Sequence, residues 1–245
     1  MMRRLISLFS LLVMMAAPVA AKEAPIDPLG AYILVEVQNL DDAFMKGTKA
    51  PGVLTFARYD PIRADIRGGH LSPETAPPAG DDVRVTLSKK PVMKSKAARL
   101  YLVKVVPDTW IVEGANGTAF SLGSMSFAIA PGQIVDLGVM KPSIDWAEGE
   151  KPKSRAAGLI GAMLFGSFAP KEQRPVRIDW HKRGVSDIAM PSVLAGRSVT
   201  AVQFAPNHKF GNYLGGLVNR FGGRSSRPGA SPQTVSADTL SNGSQ

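Results

Sequence analysis

Apolar and polar residues alternate, or form short β-branched runs, over seven stretches: Ala31 to Gln38, Val53 to Tyr59, Asp82 to Leu87, Arg99 to Val106, Trp110 to Glu113, Ser124 to Ala130 and Gln133 to Met140. A period of two places alternate side chains on opposite faces of an extended chain, so each stretch predicts a strand. Turn-forming residues separate them: Pro51-Gly52, Gly68-Gly69, the run Pro77 to Asp81, Pro107-Asp108, Gly114 to Gly117 and Pro131-Gly132. No stretch of helical period interrupts the series, which favours antiparallel hairpins and an Ig-like sandwich in a mainly β protein. The connection from Pro61 to Gly80 reads as an excursion from the sheet, with His70 in a solvated loop.

Beyond Met140 the pattern is less regular. The stretch Ala156 to Ala169 is apolar between basic flanks, and its fourteen residues are too few to cross a bilayer as a helix. Gly158, Ala162 and Gly166 would share one stripe of a helix, so the segment is expected either to pack on the sandwich or to lie at a membrane interface. Two similar pieces bracket it, Pro142 to Trp146 and Pro175 to Trp180, each holding Ile-Asp-Trp. Extended, each puts Ile and Trp on one face and Asp on the other, which suggests paired anchoring strands; chance repetition is the alternative. Val199 to Phe204 predicts a further strand. Phe210, Leu214, Leu217, Val218 and Phe221 fall at helical spacing, although Gly211, Gly215 and Gly216 weaken a free helix by about 1 kcal/mol each. From Gly222 on, Gly, Ser, Pro and Thr dominate, the composition of a disordered tail.

The N-terminus changes the picture. Arg3 and Arg4, the apolar run Leu5 to Met15 and the small residues Val19-Ala20-Ala21 have the order of an export signal cleaved before Lys22. The expected organisation is a signal at 1–21, a sandwich at 22–140, a basic extension at 141–221 and a tail at 222–245. The chain has 245 residues and no cysteine, so packing and hydrogen bonds must hold an exported fold without disulfides.

Charge divides the chain. Residues 22–140 carry 13 basic and 13 acidic residues, whereas 141–227 carry 14 basic and six acidic ones. Such asymmetry points to an anionic partner. Lys151, Lys153, Arg155, Lys171, Arg174, Arg177, Lys182 and Arg183 are the candidate contacts for an anionic membrane surface, an envelope polymer or another envelope protein. The plain alternative is that they are solvated loop and edge residues.

The run Tyr101 to Gly114 and the run Ser126 to Met140 resemble prealbumin-like sandwich domains of small uncharacterised proteobacterial envelope proteins. Val106, Pro107, Thr109 and Trp110 match a strand end that turns into an aromatic, with Asp108 in place of the usual turn Gly. Phe127, Pro131, Gly132, Val135 and Gly138 match the later strand. The resemblance implies a fold and an envelope location, exported and periplasmic in a Gram-negative host. Many relatives are lipoproteins, and the missing Cys departs from that anchoring.

Candidate chemistry is sparse. His70, His181 and His208 lack metal-ligand spacing, and no phosphate-binding Gly loop precedes a helix, so no cofactor is implied. Ala119 to Gly123 is one residue from a GxSxG nucleophile elbow, with Asp145 and then His181 or His208 in hydrolase order. The elbow needs a helix after Ser121, and Ser124 to Ala130 reads as strand. Asp41-Asp42 and Asp81-Asp82 sit beside turn residues as solvated caps. Nucleic acid is not an expected partner, because the chain is read as exported and carries no known binding module. A non-catalytic envelope scaffold with a basic face is the leading reading; a secreted hydrolase or carbohydrate-active enzyme is the other.

Overall fold

The computed structural model describes residues 26–41, 47–68, 83–88, 90–147, 149–150, 174–211 and 216–224. The expected export signal, the apolar segment 156–169, Lys151, Lys153, Arg155, Lys171, His70 and all of the tail beyond Arg224 lie outside them.

The protein is mainly β, with 51% of the described residues in strands and no α-helix among them. In chain order the strands are β1 (Ala31–Gln38), β2 (Leu40–Asp41), β3 (Lys49–Ala50), β4 (Leu54–Asp60), β5 (Asp65–Ile66), β6 (Arg84–Leu87), β7 (Met93–Lys94) and β8 (Ala98–Val105). They continue as β9 (Asp108–Ala115), β10 (Thr118–Ala119), β11 (Ser124–Ile129), β12 (Ile134–Ile144), β13 (Val176–His181), β14 (Val199–Ala201), β15 (Ala205–His208) and β16 (Leu217–Val218). Each of the seven stretches expected from the alternation contains a strand.

The described residues form two eight-stranded sheets. Sheet I runs β3-β2-β12-β1-β8-β7, with β13 and β14 also paired to β12. Sheet II runs β15-β11-β9-β10-β16, with β4 on β9 and β5 and β6 on β4. The shared core takes alternate residues of each: Ile33, Val35 and Val37 from β1 and Leu137 from β12 meet Phe56 from β4 and Trp110 and Val112 from β9. Trp110 is fully buried, and its Nε1 donates to Val106 O at 2.9 Å, so the indole is both packed and satisfied. The edge-to-face pair of Phe56 and Phe127, 6.1 Å between centroids, packs β4 against β11 within sheet II.

The sheets are mixed, which corrects the antiparallel expectation. β1 runs parallel to β12, Tyr32 opposite Ile134, and β12 parallel to β14; β10 and β16 are also parallel. A parallel pair needs a crossover. Here the crossover is the other sheet: between β1 and β12 the chain passes through β4, β6, β9, β10 and β11, so no helix is required.

β12 runs through Met140, the expected domain boundary, to Ile144. Val176, Ile178, Val202 and Phe221 join the same core as β1 and β9. The two Ile-Asp-Trp pieces meet across β12 and β13, with Met140 opposite Trp180 and Ile144 opposite Val176. Trp180 donates from Nε1 to Leu137 O at 2.6 Å and stacks edge-on against Phe204. Where helical spacing was read from Phe210 to Phe221, Leu217–Val218 is a strand, and residues 212–215 lie outside the described ones. Phe210 packs with Tyr59 and Ile111 outside sheet II, while Phe221 packs on Phe120 in the shared core. The equal spacing thus serves two different cores.

Candidate functional site

β1 is buried along seven of its eight residues because it is covered on both faces. Tyr32 and Leu34 point away from the shared core and pack with Leu194, Ile188 and Val193 of the segment that follows β13. Glu36, next on that face, is 2% exposed. A bare carboxylate there would be costly, and it is answered by Arg183. Nη1 of Arg183 donates to Glu36 Oε2 at 3.0 Å and to Ile188 O at 3.2 Å. Its Nε reaches Asp136 Oδ2 at 2.9 Å; its Nη2 reaches Asp136 Oδ1 at 3.2 Å and Gly138 O at 3.4 Å. The Ile188 amide also donates to Glu36 Oε2, at 2.9 Å. All five guanidinium donors are filled, in the forked geometry that only Arg supplies.

Gly138 makes this arrangement possible. β12 carries one extra residue between the positions facing Leu34 and Glu36, and Gly138 takes φ +77° at that bulge. A Cβ there would lie 2.4 Å from His181 O. The Gly138 amide donates to Asp136 Oδ1 at 2.8 Å, turning that carboxylate toward Arg183.

A second cluster sits where β12 ends and β13 begins. Arg174 is paired with Glu150 and lies 4.7 Å over the Trp146 ring. That hydrogen bond from Arg174 holds the Glu150 carboxyl below its ordinary range. The Asp145 amide donates to Pro175 O at 2.8 Å, so the two flanks of residues 151–173 are fastened together. Asp145 Oδ2 accepts from Asn219 Nδ2 at 2.9 Å and from the Arg224 amide at 2.8 Å. Arg177, half exposed, donates to Ser143 Oγ at 3.2 Å beside Asp179 at 3.6 Å. Lys182 is exposed.

Sheet II has ion pairs of its own. Arg84 holds Glu113 through two bonds of 2.6 and 2.7 Å, and Asp108 takes Arg58 at 2.7 Å and Arg67 at 2.8 Å. His181 lies 3.4 Å from Asp187, whose carboxyl the Gly184 amide holds below its usual range. His208 packs on the Tyr59 ring. No group of three His, Asp or Glu able to hold a metal occurs among the described residues. After Ser121 the chain turns directly into β11, without the helix that a nucleophile elbow requires.

Of the eight candidate cations, the structure describes four. Arg174 and Arg177 sit close to the β12–β13 end and Lys182 follows β13. Arg183, expected to contact an external anion, spends its donors on Glu36 and Asp136 instead. Those two carboxylates were missed, though one signal was present: a lone Glu inside the apolar run AYILVEVQ marks a buried charge, not a solvated face. Comparison of the chain with protein-family models, curated proteins and solved structures returned no match.

Proposed function

We propose that the protein is an exported, non-catalytic envelope component. Its two sheets, read as a prealbumin-like sandwich, serve as a scaffold presenting positive charge to an anionic partner: a membrane surface, an envelope polymer or another envelope protein. One observation carries the reading. At least eleven of the twelve described Asp and Glu residues lie within 4.0 Å of a Lys, Arg or His, and Asp65 is buried with Oδ1 accepting the Ile66 amide at 2.9 Å. Nine described Lys and Arg, Lys182 among them, have no described carboxylate that close. The described acids are taken up in ion pairs and hydrogen bonds within the fold, and seven of the nine cations left over are exposed.

The test is cosedimentation of the purified protein with phosphatidylglycerol vesicles and with neutral phosphatidylcholine vesicles across a salt series, alongside pull-down on an anionic polysaccharide resin. Each cation close to an anionic bilayer contributes up to about 1 kcal/mol, within a Debye length of about 8 Å at physiological salt. Binding to either anionic matrix at low salt, falling with added salt and weakened by changing Lys151, Lys153, Arg155, Lys171, Arg177 and Lys182 to Gln, supports the proposal. Indifference to both matrices at low salt removes the lipid and polymer partners. Mass spectrometry of the exported protein checks the other half: its first residue should be Lys22.

A further inference from the structure

Two turns in the protein are built alike. Asp27-Pro28-Leu29 and Asp60-Pro61-Ile62 share the order Asp, Pro, aliphatic. In each, the Asp Oδ1 accepts the amide of the aliphatic residue two positions on, at 3.0 Å in both. In each the Pro is exposed and the aliphatic side chain stands in solvent, Leu29 at 79% and Ile62 at 94% exposure. A side-chain-capped turn with a fixed proline φ is stiff, so both tips are held out at little further entropic cost.

Strand register puts the two tips at one end of the molecule. Ala31 at the start of β1 faces Val105 at the end of β8, and Ile129 faces Asp108 at the start of β9. Arg58 faces Trp110 and Tyr59 faces Ile66, so the 61–64 turn projects past that same end. The Leu29 carbonyl accepts the Gly132 amide at 3.0 Å, which brings the exposed Pro131 turn alongside. The end opposite carries Arg174, Arg177 and the β12–β13 junction.

We propose that this end docks on a lipid bilayer, Leu29 and Ile62 entering the interface as two separate wedges. The tips protrude from different loops, an arrangement that suits a deformable partner. Cations flank both: Arg63 beside Ile62 is exposed with no described carboxylate within 4.0 Å, and Arg197 donates to the Ile26 carbonyl, three residues before Leu29. An aliphatic tip with a cation beside it matches the layering of an apolar interior under phosphate headgroups.

The inference does not rest on the basic-surface reading, and salt separates the two, since apolar insertion persists where electrostatic attachment is screened. The purified protein is titrated with phosphatidylcholine vesicles and with phosphatidylglycerol-containing vesicles at high salt. The expected result is retained binding to both, a tenfold or greater loss in the Leu29→Ser/Ile62→Ser variant, and no change in Val185→Ser, an equally exposed site outside the patch. All three side chains lie in solvent, so the variants fold. High-salt binding that is absent, or equal in the double variant, overturns the proposal. So does a self-association, read by sedimentation equilibrium, that the double variant abolishes in protein that ignores vesicles: the occupant would then be a second copy.

Discussion

Replacing Arg183 by Met keeps most of the side-chain volume and removes the charge from the triad beneath the 182–199 segment. Glu36 and Arg183 have side chains only 3% and 10% exposed, and Asp136 12%, so water cannot take over the lost bonds without opening the segment. Glu36 would keep the Ile188 amide and Asp136 the Gly138 amide, one donor each for two buried charges. Breaking a buried ion pair from one side costs about 3 to 5 kcal/mol, most of it from the partner left uncompensated. For a chain of this size that lowers Tm by roughly 6 to 20 °C. Urea unfolding followed by tryptophan fluorescence reads it directly, because Trp110 and Trp180 pack in the shared core. Adding Glu36→Gln to Arg183→Met should cost much less than Glu36→Gln alone, since the charge it removes is already unpaired. A loss under about 1 kcal/mol for Arg183→Met, or strict additivity of the pair, would refute the reasoning and mean that the triad is effectively solvated.

Trp110→Ala should cost about 3 to 5 kcal/mol in the same unfolding assay, as for other fully buried large aromatics. Gly138→Ala forces a left-handed backbone on a residue with a Cβ and presses it onto His181 O, and should cost about 2 kcal/mol or more; a loss under about 0.5 kcal/mol would show the bulge to be adjustable. The Arg174 bond holds the Glu150 carboxyl below its ordinary value in the folded protein, so the pair's contribution is present above the ordinary glutamate range and disappears as pH falls through the lowered value. A carboxyl-detected NMR titration should show the Glu150 midpoint rising toward the ordinary value in Arg174→Gln, and an unmoved midpoint would assign the shift to another group.

Strand positions were legible because alternation is local: β1 and β11 begin where the pattern begins, and β4, β8 and β12 within a residue of it. Neighbours were not. Nothing in AYILVEVQ distinguishes a strand flanked antiparallel on both sides from one with β12 running beside it in parallel, since register depends on residues a hundred positions away. The helical reading failed at Leu217–Val218 because periodicity cannot tell one face of a helix from two residues bound for different cores, Phe210 and Phe221. Charge misled for a related reason. Counting by halves placed Arg183 among outward cations, when its partners Glu36 and Asp136 belong to the neutral half. The counting also hid Lys90, Lys94 and Lys96, exposed around the edge strand β7 with no described carboxylate close by, where they discourage edge-to-edge pairing of sheet I.

The order in which the sheets fill has a kinetic consequence. β1 is the central strand of sheet I, yet its partners are β8 and β12, and β12 in turn waits for β13 and β14. Sheet II is likewise finished by β15 and β16, the last strands in the described chain. The shared core is completed only when Val176, Ile178, Val202 and Phe221 arrive, and contacts between distant positions make for slow folding. If the chain is exported as we propose, that delay helps, because β1 stays without its β12 partner until residues 134–144 have crossed.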